Sequence, residues 1–263
     1  APTASVSFSV TSSDTTEGTV SASTLSYSSD NWSTAQTVTV YGVDDTLSDD
    51  NQAFSVTLGS VTSSDANYAG KNPEDVSVTN IDNETASITV SALSDNTTEA
   101  GDNATFTVVL DNQPTSDVSI AVSSSDTSEA TISPSSLTFS NSNYSSAQTV
   151  TVYGVDDFYD DDNVSYTISV DPSSSITSYN TMTSSTLTGY TIDNDTATIS
   201  VGAKSGNTAE FPNTTATINV TLATIPTANV SIVVTDNDST EVSVSPTTLT
   251  ITPSTWNTTN RVT

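Results

Sequence analysis

Two Asp-Asp pairs close identical strings: Thr39–Asp45 and Thr151–Asp157 both read TVYGVDD, 112 residues apart. More acid follows each, Asp49 and Asp50 after the first and Asp160, Asp161 and Asp162 after the second. Carboxylates set this densely can hold a cation or work as an acid–base pair. They repel one another unless positive charge sits among them. Against 31 acidic side chains the chain offers only three basic ones, Lys71, Lys204 and Arg261, for a formal net charge of -28. A bound cation answers that imbalance. Calcium suits it best, because it accepts roughly six to eight oxygen ligands in tolerant geometry. The competing reading is acid that merely solubilises the surface, which predicts carboxylates scattered over both ends of a domain.

Catalysis has little to work with. There is no His and no Cys, which removes Ser–His and Cys–His nucleophiles and the usual zinc sites. Asp44–Asp45 or Asp156–Asp157 could imitate a glycosidase carboxylate pair. Both recur in the same loop with no insertion to build a cleft, so the chain reads as a non-enzyme.

The elements that must carry these acids show up as alternation. Ser and Thr fill 99 positions, a composition that favours strands and polar turns over helices. In the one complete copy of the repeat, residues 85–195, apolar residues alternate with polar ones in short runs. Ile88 and Val90 mark strand A, Phe106, Val108 and Leu110 strand B, and Val118, Ile120 and Val122 strand C. Leu137 and Phe139 mark D, Val150 and Val152 E, Tyr166, Ile168 and Val170 F, and Leu187 and Ile192 G. Seven short strands in about 110 residues are what an immunoglobulin-like β-sandwich requires. Residues 1–84 repeat strands C to G, and residues 196–263 repeat A to D with the start of E at Arg261-Val262-Thr263. Neither end copy closes a sandwich alone, so the expectation is a segment of a longer repetitive protein or strands supplied by a neighbouring chain. Aromatics keep their places between copies (Tyr41 with Tyr153, Tyr27 with Phe139, Phe54 with Tyr166, Trp32 with Tyr144 and Trp256), as shared packing demands.

Antiparallel strands put loops A–B, C–D and E–F and the end of G at one pole. The A–B loops hold Asp95, Glu99, Asp102 and Glu210, and the C–D loops Asp14, Glu17, Asp126, Glu129, Asp236, Asp238 and Glu241. The E–F loops hold Asp44, Asp45, Asp49, Asp50, Asp156, Asp157, Asp160, Asp161 and Asp162, and the G ends Asp82, Glu84, Asp193 and Asp195. That concentration at one end favours a metal over scattered solvating charge.

A Glu-Gly or Glu-Ala turn, alternating B and C strands, an E strand closing in Val-Asp-Asp, acid a few residues on and an aromatic opening F together resemble the Calx-beta domain. The strings SSSDTSEATISPSSLTF and QTVTVYGVDD also resemble the tandem repeats of very large bacterial surface proteins. The resemblance spans all three copies and implies calcium at the acidic pole. By position it implies Glu99, Asp126, Asp156, Asp157, Asp161, Asp193 and Asp195 as ligands in the middle copy. In the first copy the equivalents are Asp14, Asp44, Asp45, Asp49, Asp82 and Glu84, and in the third Glu210. The chain departs from the family in closing G with Asp-Asn-Asp or Asp-Asn-Glu, and the first copy has no A–B loop.

No apolar run approaches the length of a membrane span, the opening APTASVSFSV already reads as a strand rather than a leader, and the charge disfavours nucleic acid. Twelve Asn-x-Ser/Thr sequons, at Asn31, Asn83, Asn96, Asn103, Asn143, Asn163, Asn194, Asn213, Asn219, Asn229, Asn237 and Asn257, would accept carbohydrate in a host that glycosylates Asn. The copies are alike throughout, loops included. This favours a calcium-rigidified structural repeat of an extracellular fibre or stalk, partnered by neighbouring copies of itself. The alternative is an adhesin module binding a glycan or another cell. The F–G connections, Gly59–Pro73 against Asp171–Met182, differ between copies and are the place to look for a specific contact.

Overall fold

A computed structural model describes residues 1–210 and 214–263. The chain is all-β, built as two-sheet sandwiches. In the middle copy the strands are A (Ile88–Val90), B (Asn103–Leu110), C (Val118–Ser124), D (Ser136–Phe139), E (Gln148–Gly154), F (Val164–Ser174) and G (Ser185–Ile192). C pairs antiparallel with both D and F, F pairs with G, and B pairs with both A and E. One sheet is therefore D-C-F-G and the other A-B-E.

Alternation sets which way each strand faces. Along C, Val118, Ile120 and Val122 are buried while Ser119, Ala121 and Ser123 face water. On B, Ala104, Phe106, Val108 and Leu110 point inward. Together with Leu137, Phe139, Val150, Val152, Tyr166, Ile168, Val170 and Tyr179 they form one core between the sheets. Tyr179 sits on a four-residue helix, Thr177–Asn180, and its hydroxyl donates to the Asn112 carbonyl at 3.0 Å. Of the repeated aromatics, Tyr166 and Phe139 are core, as is Phe54 in the first copy, whereas Tyr41 and Tyr153 stay exposed.

Three short elements escape the alternation. Thr97–Thr98 runs parallel to the end of G, Thr97 beside Thr191. Ala130–Ser133 pairs with E on the opposite sheet. The third is the helix just described. The two strand fragments matter most, because each is flanked by a glutamate of the acidic pole. Gly154 lets E pass the first of them closely: a Cβ there would lie 2.4 Å from the Thr98 carbonyl oxygen.

The first copy forms the sheet D (Thr24–Tyr27), C (Val6–Ser12), F (Gln52–Leu58), G (Val76–Asn80) around Val10, Phe54 and Val56. The third copy forms an A-B-E sheet (Ile199–Val201, Ile218–Leu222, Asn260–Val262) and a C–D pair (Val230–Val233, Thr248–Ile251), with Val220, Leu249 and Val262 at its centre. Among the described residues no helix is long and apolar enough to cross a membrane.

Phe106 is 1% exposed and touches both sheets' core residues. Phe106→Ala should cost about 3–5 kcal/mol, measured as lost hydrogen-exchange protection on strands C and F. A change confined to strand B would contradict the shared core.

Candidate cation site

The pole of the middle copy is assembled on buried hydroxyls. Thr97 Oγ1 lies 3.2 Å from both the Tyr166 hydroxyl and Thr191 Oγ1. Thr191 Oγ1 in turn donates to the Glu129 carbonyl at 2.9 Å. The Glu99 amide donates to the Ile192 carbonyl at 3.2 Å, and Val155 at the start of the E–F loop donates to Glu129 at 2.9 Å. The A–B and C–D loops are thus tied to the last residues of G, by an amide and by a hydroxyl, and the E–F loop to Glu129.

Two carboxylate triads result. Glu99, Asp193 and Asp195 form one, and Glu129, Asp157 and Asp161 the other; within each, one oxygen from every residue lies within 4.8 Å of the others. Glu99 is 7% and Glu129 8% exposed. In the first triad the Asn194 amide donates to Glu99 Oε2 at 3.1 Å and the Asp195 amide to Asp193 Oδ1 at 2.7 Å. Glu129 differs: its carbonyl accepts two bonds, from Val155 and Thr191, while no hydrogen-bond donor among the described residues reaches its carboxylate.

The electrostatics follow. Burial, then Asp161, Asp126, Asp157 and Glu99, push the Glu129 carboxyl up to about 6. Burial raises Glu99 as well, with Asp157, Asp193 and Asp195 adding to it against the Asn194 amide bond. Asp161 is raised by burial and by Asp157 and Asp193, and Asp195 by burial and by Asp193, Asp156 and Asp157. The two triads therefore feel each other and behave as one patch.

Of the sequence candidates, Glu99, Asp157, Asp161, Asp193 and Asp195 come together. Asp156 sits at the margin, with Asn194 Nδ2 3.5 Å from its Oδ1. Asp126 stands apart. Its carboxylate accepts the Ser128 amide at 3.0 Å and the Ser128 hydroxyl, which hold it below the usual range. Asp14 with Thr16 and Asp238 with Thr240 do the same. The acid delivered to the pole is instead the glutamate three residues on. The signal was in the sequence: Asp14-x-x-Glu17, Asp126-x-x-Glu129 and Asp238-x-x-Glu241 recur at a spacing of 112.

In the first copy Glu17, Asp45, Asp49, Asp50, Asp82 and Glu84 line one hollow with Asn80. Asp49 is raised by burial, then by Glu17, Asp45 and Asp82; Glu84 is raised by burial, then by Asp82 and Asp44. Asn80 Nδ2 donates to Glu17 Oε2 at 3.2 Å and to the Val43 carbonyl at 2.8 Å, so an amide takes up part of the charge. In the third copy Glu210 is exposed and borders a hollow shared with Glu241.

Most sequon asparagines are exposed, including Asn83, Asn96, Asn103, Asn219, Asn229, Asn237 and Asn257. Asn31 and Asn143 are half-buried and accept the Ser28 and Ser140 amides at 2.6 Å, closing equivalent corners. Asn163 accepts the Asp193 amide at 3.2 Å, and Asn194 sits between Asp193 and Asp195 of the first triad. Asn213 lies outside the described residues.

No protein-family model matches the chain, and no curated protein matches it. Among solved structures, the S-layer protein SbsC is 16% identical at a TM-score of 0.32, over 83% of this chain and 30% of that one. A domain structure of intimin is 12% identical at 0.29, over 70% and 85%. The E. coli chaperone DraB is 9% identical at 0.32, over 54% and 94%. The chain spans less than a third of the S-layer structure. At such scores strand-by-strand equivalence does not follow, and the pole is interpreted from this chain's own geometry.

Raised carboxyls fix the pH dependence. Between the ordinary glutamate value of 4.5 and about 6, the folded state keeps a proton on Glu129 that the unfolded chain has released. Without a cation, stability therefore falls as pH rises through that window. Melting in chelator should drop from pH 4.5 to 6, and Glu129→Gln should flatten the slope. A melting temperature that climbs over the same interval would contradict the burial of this acid.

Proposed function

We propose that the chain is a tandem array of extracellular structural repeats, residues 1–84, 85–195 and 196–263, whose sandwiches are braced by calcium at their acidic poles. One observation carries this reading: Glu129, 8% exposed as a residue, sets its carboxylate beside Asp157 and Asp161, and no hydrogen-bond donor among the described residues reaches it. Two unit charges about 4 Å apart repel by about 4 kcal/mol at an effective dielectric near 20. Solvation can relieve exposed acids of that cost but relieves a buried one poorly. A divalent cation reverses its sign.

The donor set selects the ion. All the ligands are carboxylate oxygens, which suit calcium or magnesium and disfavour softer metals. Magnesium holds near-ideal octahedral geometry and keeps most of its water, whereas calcium tolerates several carboxylates from separate loops. Extracellular calcium modules work at about 10⁻⁴–10⁻³ M affinity. That fits a chain without cysteine, in which bound ions do the stapling that disulfides do elsewhere. In the first copy Asn80 donates to Glu17, a bond that Glu129 lacks among the described residues, so the first copy should bind calcium more weakly than the middle copy.

An ion binding only the folded state at a hundredfold excess over its Kd adds about 2.7 kcal/mol, on the order of 10 °C in melting temperature for a domain of about a hundred residues. Calcium should raise the main melting transition by that order and chelator should reverse it. Asp157→Asn combined with Asp161→Asn should remove the increment from the middle copy. Equal melting with calcium and with chelator would sink the proposal.

A further inference from the structure

The E–F loop has a second partner besides the pole. Asp50 and Asp162, equivalent residues of two loops, share a left-handed backbone step, with φ of 64° and 63°. Aspartate tolerates that conformation better than most residues. From this step the Asp50 carboxylate reaches into the next copy, accepting the Thr177 amide at 2.6 Å and the Ser178 amide at 3.0 Å. Those are the first amides of the helical turn between F and G, whose flanking Ile176 has no side chain able to cap it.

Beside Asp50, Leu47 and Ser48 pair in parallel with Gln113 and Pro114 of the B–C loop in the middle copy. Ser48 is fully buried. The Ser48 and Ser178 hydroxyls are both shut off from solvent on either side of this junction, a measure of how closely the two copies meet. Pro114 has no amide hydrogen, so the pairing stops there.

The next junction is built from the same two loops. Ile225 and Pro226 stand where Gln113 and Pro114 stand one repeat earlier, and the Ile225 amide donates to the Phe158 carbonyl at 2.7 Å. Asp160, in the place of Ser48, accepts the Ala197 amide at 2.7 Å. The Phe158 ring packs on Trp256 with centroids 5.6 Å apart. Loop against loop is conserved between the junctions while the side-chain chemistry changes from polar to aromatic.

We infer that each repeat carries a dedicated docking surface, its B–C loop, whose partner is the E–F loop of another copy of the same domain, and that this main-chain seam sets the angle between copies. Consecutive aspartates divide the work. Asp49 turns to the pole with Glu17, Asp45 and Asp82 around it, and Asp50 holds the neighbour. Backbone amides satisfy Asp50 without any metal, so the seam does not depend on the cation reading. The F–G turn, the most variable connection between copies, is part of the surface that receives it.

The test uses the full chain, which has no native cysteine. Thr24→Cys with Ser136→Cys places spin labels on the exposed D strands of the first and middle copies. Pulsed dipolar spectroscopy should give one narrow distance distribution, and Asp50→Ala should at least double its width with β content unchanged by circular dichroism. Asp50→Asn, keeping one acceptor oxygen, should fall between. At the second junction, with Trp32→Phe leaving Trp256 as the sole reporter, Phe158→Ala should shift its emission several nanometres to the red. Unaltered width in Asp50→Ala, or unaltered emission in Phe158→Ala, overturns the inference; should Asp50→Ala fail to fold, the second junction decides alone.

Discussion

Glu99 and Glu129 approach the pole from opposite sheets. One follows the short strand that lies along G, and the other precedes the short strand that lies along E. Glu99 is pinned to the end of G by its amide on the Ile192 carbonyl, Glu129 by its carbonyl on the Thr191 hydroxyl, and that same hydroxyl joins the two sides through Thr97. Like charge is thereby forced together by hydrogen bonds that carry no charge themselves. A buried polar network of this kind holds its members in place only while it is fully satisfied. Thr97, Tyr166 and Thr191 meet that condition, and the Glu129 carboxylate above them, among the described residues, does not.

The strands were legible because a sandwich writes its inside and outside onto alternate residues. Val118, Ile120 and Val122, or Phe106, Val108 and Leu110, need no partner to be recognised. Thr97–Thr98 and Ala130–Ser133 carry no such mark. A two- or four-residue strand is defined by the strand it lies against, and neither segment has enough residues for a period to appear. The site suffered from the same limit. Family position pointed to Asp126, which is consumed by its own turn with Ser128, and passed over Glu129 three residues on. Serving as a local cap and serving as a ligand compete for the same carboxylate, and an aspartate followed two residues later by Ser or Thr takes the local bond.

Differences between the copies are as informative as their likeness. Thr191 in the middle copy is matched by Asn80 in the first. The longer amide reaches the Glu17 carboxylate and the Val43 carbonyl, where the threonine hydroxyl reaches Thr97 and the Glu129 main chain. One substitution thus gives the glutamate of the first copy an amide donor that Glu129 lacks among the described residues. Such a change leaves the core untouched, since the residues beneath (Phe54 or Tyr166) keep their place. Repeats of this design can vary the hydrogen bonding of their acidic poles along the chain while sharing one scaffold.

The pairing of Leu47–Ser48 with Gln113–Pro114 is parallel and joins two unlike loops. A contact between unlike surfaces has a direction, and repeating it extends copies head to tail, in a line wherever the rotation per step does not close a ring, and never pairs two copies face to face. Every copy therefore offers a plug at one end and a socket at the other, as the links of a chain with a head and a tail do. Two such arrays lying side by side, or meeting head to head, have no use for this joint. The repeat is built to lengthen and not to cross-link, a polarity written into the backbone of two short loops.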